Sequence, residues 1–220
     1  MDLQYRTTYS DRHGVETTTM HNDGTTLSLG LRGIVFSGRE FDSLEPDKRS
    51  EPELLKQFSL VNGSLCECTI QCEMPVLLVV DNGAVSSLLV AQVKLGSQSA
   101  SGGLDEERVF LSLRVDEEEF HSTGKSGWFE NELLDLQQAL PNGTYIKACI
   151  NCGLSDYWLG GNPSFGGLLC FRDSKADYRQ VKSKSDLFKL LGAIAKPLIV
   201  QETFLCPQFE RREPGTGYRG

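Results

Sequence analysis

The chain has 220 residues, of which 39% are hydrophobic and 24% charged, a composition that fits a globular protein and excludes a largely disordered one. Residues 1–120 carry 10 Lys and Arg against 20 Asp and Glu, whereas residues 121–220 carry 12 against 10. The acidic half argues against nucleic acid as a partner, because phosphates repel it, and it suits a basic protein partner. The alternative is an acidic surface that only keeps the protein soluble.

No segment of the sequence reads as a secretory signal or a membrane anchor. The N-terminal residues Met1–Thr8 lack a basic stretch followed by an apolar one. The longest apolar run, residues 74–80, falls well below the roughly 20 residues that a membrane-spanning helix needs, and it predicts a strand. We therefore expect a cytoplasmic protein that does not engage a membrane.

Residues 1–96 predict a β-rich domain. Strands at Val15–Met20 and Thr25–Leu31 flank a turn that ends in Asp-Gly. A short helix capped by Ser50 comes next. Further strands are expected at Leu65–Cys72, Pro75–Val80 and Val85–Leu95. The whole reads as an antiparallel, β-sandwich-like part that ends before a Gln/Ser/Gly-rich linker at Gly96–Gly103.

Residues 105–220 predict an α+β domain. Helices are expected at Glu130–Leu140 and at Ser185–Ala195, where leucines recur at helical spacing on one face. Strands are expected at Val109–Val115, Thr144–Ala148, Gly167–Arg172 and Leu198–Leu205. Together the two parts predict a β-rich α+β fold, and a single core shared by both parts is the alternative to two separate domains.

Four of the seven cysteines predict a structural zinc site. Disulfides are disfavoured in the cytoplasm, which leaves metal ligands, buried apolar thiols or a reactive thiol. Cys149 and Cys152 form a CxxC knuckle, and Gly153 after it lets backbone amides approach the sulfurs. Cys170 and Cys206 complete the pattern C-x2-C-x17-C-x35-C. Four thiolates with no open position favour a structural clamp over zinc catalysis, with buried thiols or a redox pair as the alternatives.

The other three cysteines predict a buried strand face. Cys66, Cys68 and Cys72 fall at even spacing with Ile70, so they would share one side of an extended strand. Thiols commonly occupy such buried faces as small apolar side chains. A second metal site is the alternative, but the sequence offers it no fourth ligand.

No motif in the sequence predicts a catalytic residue. The segment Gly124–Ser126 lies between a predicted strand and a predicted helix, as a phosphate loop would, but Glu119 stands where the pattern requires glycine. HExxH, GxSxG and the zinc-deaminase pattern do not occur in the sequence. The weak alternative is acid–base chemistry in the loop 155–165, carried by Asp156, Tyr157 and Glu202.

Several motifs in the C-terminal third of the chain carry a resemblance. They are CxxCxxSDY from Cys149, FGGLLCFR from Phe165, QETFLCPxFE from Gln201 and PGTGYRG from Pro214. Together they resemble a bacterial, actinobacterial-type family of proteins of unknown function. The resemblance implies a bacterial, intracellular protein, and it assigns no catalytic residue because the family has no established activity.

These observations favour a non-catalytic binding protein. An acidic chain with a structural zinc site and no catalytic motif fits an immunity protein that neutralises a basic toxin. An enzyme of unknown substrate with its site in the loop 155–165 is the alternative.

Overall fold

One large antiparallel sheet organises the computed structural model, which describes residues 2–81, 83–157 and 164–219. The strands of its first 146 residues are β1 (Leu3–Asp11), β2 (Gly14–Asn22), β3 (Leu27–Leu31), β4 (Ile34–Gly38), β5 (Glu45–Pro46), β6 (Ser59–Val61), β7 (Ser64–Cys66), β8 (Cys68–Val80), β9 (Gly83–Leu95), β10 (Glu107–Val115), β11 (Glu118–His121) and β12 (Tyr145–Ile146). Over the described residues, the large sheet follows the order β11-β10-β9-β8-β1-β2-β3-β4-β5, and β12 also pairs with β8. β6 and β7 form a hairpin of their own.

Tight turns fix the register of two hairpins. Arg32 and Gly33 join β3 to β4 with φ angles of +46° and +83°. Asn62 and Gly63 join β6 to β7 with φ angles of +51° and +93°. Two successive residues with positive φ are typical of the type I′ turn, whose twist matches that of the strands it connects. The glycine in each turn adopts this conformation without a steric penalty.

The inner face of the large sheet carries the main core. Along β8 every second side chain is buried, namely Cys68, Ile70, Cys72, Met74, Val76 and Leu78. Helix α2 (Phe129–Ala139) lies in the same core with Phe129, Leu133 and Leu136. Removing these side chains from water is the dominant favourable contribution to folding, because apolar area is lost from solvent.

Cys66 does not share a strand with Cys68 and Cys72. Glu67 between them has a φ of +49°, in the left-handed region, and this residue separates β7 from β8. Cys66 pairs instead with Ser59 in the β6–β7 hairpin. All three thiols are buried, as predicted, but the prediction of one continuous strand face is wrong for Cys66 because the left-handed residue interrupts the alternation.

A second, smaller unit forms from the C-terminal residues. Its elements are β13 (Ser155–Tyr157), β14 (Leu168–Cys170), α3 (Lys175–Tyr178), α4 (Lys184–Ala193) and β15 (Leu198–Val200). The strands form an antiparallel sheet in the order β13-β14-β15. Helix α4 begins after Ser183, whose hydroxyl accepts a hydrogen bond from the Asp186 amide at 3.2 Å. Leu187 and Leu190 point from this helix into a core with Leu169 and Phe171.

Two predicted boundaries are wrong for local reasons. The last strand ends at Val200 and not at Leu205, because Gln201 turns inward and exchanges two hydrogen bonds with Asn22 of β2, at 2.8 and 2.9 Å. Helix α1 (Pro52–Leu55) has Glu51 and not Ser50 at its N-cap, without a side-chain capping bond. This helix is only one turn long and contributes no buried residue.

The prediction of a β-rich fold with antiparallel strands is confirmed. The predicted linker, residues 96–103, lies in the connection between β9 and β10, which pair with each other in the large sheet. The division into domains at residues 96 and 105 therefore stays a prediction. None of the helices in the described part of the chain has the length and apolar character needed to cross a membrane.

Candidate metal centre and its polar surroundings

The four cysteines of the predicted zinc site come from three separate segments and lie near one another. Cys149 begins a 3-10 turn that Cys152 closes, Cys170 ends β14, and Cys206 follows β15. All four are buried free thiols. Cys149 and Cys206 pack in one small cluster. Burial raises the pKa of the Cys149 thiol, and the charges of the other three thiolates raise it further, so all three lie within electrostatic reach.

Backbone hydrogen bonds connect the knuckle to the segment after β15. The amide of Cys149 donates to the carbonyl of Phe204 at 3.0 Å, and the amide of Ile150 donates to that of Glu202 at 2.9 Å. On the other side of the knuckle, the Gly153 amide donates to the Glu210 carbonyl at 2.8 Å. These bonds bring Cys206 beside the knuckle.

Three of the four cysteine sulfurs accept a hydrogen bond from a backbone amide, in each case that of the residue two positions after the cysteine. The Leu154 amide donates to Cys152 Sγ at 3.4 Å, and the Gln208 amide donates to Cys206 Sγ at 3.4 Å. Burial raises the pKa of Cys170, and a hydrogen bond from the Arg172 backbone amide opposes that rise. Donors aimed at sulfur favour the thiolate, which is the form that binds metal.

The four thiols lie in the same region, but their side chains are not arranged around a common point where a metal ion could bind. Across residues 2–81, 83–157 and 164–219, no group of three or more His, Cys, Asp or Glu side chains is arranged to hold a metal ion. The zinc site therefore stays a prediction at this point.

Asp156, the first residue of the alternative enzyme site, lies buried on β13. Its carboxylate accepts hydrogen bonds from the Tyr178 hydroxyl and from the amides of Tyr157 and Tyr218, each at 2.8 Å. The carboxylate thus joins β13, α3 and the C-terminal tail. Tyr157 lies beside it, with its ring packed edge-on against Tyr218.

Glu202, the third residue of that alternative, is also buried. Its carboxylate accepts hydrogen bonds from the amides of Gly166 and Gly167 at 2.7 and 2.8 Å. Burial raises its pKa, although these two amides lower it in part. Residues 158–163, which make up most of the proposed catalytic loop, lie outside the described residues.

An ion pair between Glu130 and Arg219 was not predicted from the sequence. Glu130 Oε1 and Arg219 Nη1 are 3.0 Å apart, and the two side chains are 14% and 3% exposed. Burial raises the pKa of Glu130 to about 7, since Arg219 lowers it less than burial raises it. Arg219 also donates to the carbonyl of Ile150 and to Ser155 Oγ. The only sequence signal for this residue is its place in the motif PGTGYRG.

A second arginine of the tail binds the same region. Arg212 donates from Nη2 to the carbonyls of Cys152 and Ser155, and from Nη1 to that of Thr216. The two arginines therefore satisfy carbonyl oxygens around the knuckle that have no strand partner.

The segment Gly124–Ser126 is occupied by acidic side chains of α2. Glu132 accepts hydrogen bonds from the amides of Gly124 and Ser126, both at 2.7 Å, and Asp135 accepts from the Thr123 amide. The amides that a phosphate group would need are thus already bonded to carboxylates of the same chain.

Comparison with models of protein families shows which family the chain belongs to. The model of a family of unknown function, DUF6304, matches residues 3–155. The chain belongs to this family. Membership of a family without an established function is therefore confirmed for this chain, as the resemblance predicted. The match ends at Ser155, so DUF6304 as matched includes the Cys149–Cys152 knuckle but not the motifs that contain Cys170 and Cys206. Comparison with curated proteins and with solved structures gives no match.

Proposed function

We propose that this DUF6304 chain is a non-catalytic binding protein for a basic protein partner, stabilised by a structural zinc ion. The observation that carries the non-catalytic part is the use of its buried carboxylates. Asp156 and Glu202 each accept several hydrogen bonds from their own chain, which leaves them little capacity for acid–base work on a substrate.

The proposed zinc ligands are Cys149, Cys152, Cys170 and Cys206. The proximity of the four thiols, which come from three segments, supports this assignment, as do the amide donors directed at the sulfurs of Cys152 and Cys206. Zinc would draw the sulfurs to about 2.3 Å from the metal and keep them as thiolates. Four thiolates leave no position for water, so the metal would add stability and no Lewis-acid chemistry.

The zinc assignment is tested by elemental analysis of the purified protein. We expect about one zinc per chain in the wild type and in Cys72→Ser, whose thiol is buried in the large sheet and outside the proposed site. Cys206→Ser is expected to lose most of the zinc and to unfold at a lower temperature. The assignment is wrong if the wild type holds less than about half a zinc per chain and Cys206→Ser melts at the same temperature as the wild type.

The partner is proposed from charge. The formal net charge of the chain is −8, and the N-terminal 120 residues carry the whole excess of acidic side chains. Such a surface attracts a basic protein and speeds its association at low salt. A cytoplasmic bacterial immunity protein that covers a basic toxin is the specific role that we propose.

The role is tested with the product of a toxin gene next to the gene of this protein. We expect the two proteins to copurify, with an affinity that falls as salt is raised, because surface charges are screened. The contrary result comes from Asp156→Ala. If this variant, assayed at a temperature at which it and the wild type are both folded, loses turnover of a substrate that the wild type converts, the chain is an enzyme and the binding proposal is wrong.

A further inference from the structure

In the described part of the chain, one edge of β9 is left without a neighbouring strand near its hairpin tip. β9 pairs with β8 along its whole length, from Gly83 opposite Val80 to Leu95 opposite Cys68. On its other edge β9 pairs with β10 only from Leu89 onwards, where Leu89 faces Leu113. Residues 83–88, the edge segment, therefore lie outside the β9–β10 ladder of the described residues, and the end of β10 stays near Ser87, whose hydroxyl donates to the Arg114 carbonyl at 2.8 Å.

A cavity of about 530 Å³ lies beside the edge segment. Its walls include Leu78 and Val85, which face each other on the inner side of the sheet. They also include Leu88 and Val90, which lie on the outer side, since Val90 faces Glu73. A cavity lined from both faces of one sheet is a gap between strands and not a depression on one face. We call it the sheet gap.

The backbone of the edge segment points polar groups into the sheet gap. Antiparallel pairs alternate between hydrogen-bonded pairs and pairs whose N–H and C=O groups point outward. Ser86 faces Leu77, and the Leu77 carbonyl is directed away from β9, because it accepts from the Lys147 amide at 2.7 Å on the far edge of β8. The Leu77–Ser86 pair is therefore of the outward kind, so Ser86 and, two residues earlier, Ala84 direct their amides toward the sheet gap.

The side chains around the sheet gap indicate the chemistry of a partner. Val85 and Leu88 are 54% and 49% exposed, so each offers apolar surface to a strand that adds at this edge. The opposite wall carries the acidic residues Asp116 and Glu119 beside Arg114. A second copy of this acidic chain would bring like charges together, so the charges favour a basic partner.

We propose that an extended basic segment of a partner protein adds to the sheet at Gly83–Leu88, with apolar side chains on Val85 and Leu88 and Lys or Arg side chains at Asp116 and Glu119. Strand addition of this kind takes its affinity from main-chain hydrogen bonds and its specificity from alternate side chains. The inference rests on the proposed function, since it places the contact with a basic partner at one edge.

The test uses a seven-residue peptide, acetylated and amidated at its ends, in which Lys and Val alternate. We expect it to bind the wild-type protein and Ser86→Ala alike, because alanine keeps the backbone amide. Ser86→Pro should bind about tenfold more weakly, since proline removes the donor that faces the sheet gap. A peptide with Glu in place of Lys should not bind.

Hydrogen exchange on the wild-type protein covers the case in which Ser86→Pro does not fold. Bound peptide should slow amide exchange at Ala84 and Ser86 and leave the solvent-facing residues of β2 unchanged. Equal binding by Ser86→Pro and Ser86→Ala, absence of peptide binding, or absence of protection at these two amides overturns the inference. Copurification of a basic partner with a folded Ser86→Pro variant would overturn strand addition and leave the proposed binding function standing.

Discussion

Buried carboxylates in this protein serve as acceptors for backbone amides of irregular segments. Asp156, Glu202 and Glu132 each bind at least two amides that have no strand or helix partner. An unpaired buried amide is costly, so an acidic side chain that binds two of them stabilises a loop that the sheet cannot reach. From the sequence alone, Asp156 and Glu202 are only the weak alternative of an acid–base site.

Substitution of Asp156 tests this structural role. Asp156→Asn replaces one acceptor oxygen with a donor, so the amide of Tyr157 or of Tyr218 loses its acceptor, depending on which oxygen is replaced. We expect the free energy of unfolding to fall by about 2 kcal/mol. The exposed Asp177→Asn on α3 should change it by less than about 0.5 kcal/mol. Urea unfolding measures both, and equal effects of the two substitutions would contradict the role.

The raised pKa of Glu130 predicts a pH dependence of stability. In the folded chain this carboxyl titrates at about 7, above the value of roughly 4.3 for an unfolded chain. The folded state therefore binds more protons between these values, so the free energy of unfolding falls as pH rises from about 4.3 to 7. Across this pH range, the titration of Glu130 lowers the free energy of unfolding by on the order of 3 kcal/mol.

Glu130→Gln isolates that contribution because its amide does not titrate. We expect the wild type to lose stability relative to Glu130→Gln between pH 4.5 and pH 8, as measured by urea unfolding at each pH. The exposed Glu53→Gln serves as the control and should track the wild type. Parallel stability curves for the wild type and Glu130→Gln would show that Glu130 titrates normally in the folded protein.

At the scale of elements, hydrophobic periodicity predicts much of the secondary structure. The alternation along β8 and the leucine spacing of α4 follow directly from which face of each element is buried. The predicted strand Leu198–Leu205 is longer than the observed one, because the sequence does not show that Gln201 and Glu202 are polar partners of distant residues. Asn22 lies 179 residues from Gln201 along the chain, and no local pattern connects them.

The same limit applies to the candidate site. The CxxC spacing of Cys149 and Cys152 can be recognised in the sequence because it is typical of metal-binding thiols, whereas Cys170 and Cys206 do not form a second CxxC. The Glu130–Arg219 pair could not be found, because one partner lies on a helix and the other in a glycine-rich tail. Burial of both side chains depends on how the tail packs, and this is a tertiary property.

The C-terminal tail is an element with a specific fit. Gly217 has a φ of +72°, and a Cβ built on it would lie 2.7 Å from Asp156 Oδ2 and even closer to the Tyr178 hydroxyl. Gly215 has a similar φ of +76°, but a Cβ there would meet nothing within 4 Å. A side chain at Gly215 would therefore introduce only backbone strain, whereas a side chain at Gly217 would introduce the same strain and a steric clash.

Alanine at these two positions makes the comparison. Gly215→Ala should cost about 1 kcal/mol, the cost of a left-handed conformation for alanine. Gly217→Ala should cost at least about 2 kcal/mol more, because the tail must move off Asp156 or displace Tyr178. Thermal unfolding of both variants provides the measurement, and equal losses would mean that the tail does not pack tightly on β13.

At the scale of the whole molecule, two cores meet at the knuckle. The large sheet carries one core with α2, and the C-terminal unit carries another with α4. Cys149 and Cys206 belong to a third, small cluster, and Ile150, next to Cys149, lies in the core of the large sheet. If zinc binds at the four thiols, it tethers the C-terminal unit to the large sheet at this point.

Removal of the metal tests how far that tether extends. We expect chelation of zinc from the purified protein to speed hydrogen exchange at Cys149, Ile150 and Gly153, whose amides donate to carbonyls of residues 202–210. Amides of β8 should stay protected, because their bonds to β1 and β9 do not depend on the thiols.

Two variants control this experiment. Cys72→Ser should respond to the chelator as the wild type does, whereas Cys206→Ser should exchange rapidly at the knuckle before any chelator is added. Exchange that accelerates equally in β8 and at the knuckle would mean that the metal supports the entire fold. An unchanged exchange pattern after complete removal of zinc would mean that backbone hydrogen bonds and packing alone hold the C-terminal unit on the sheet.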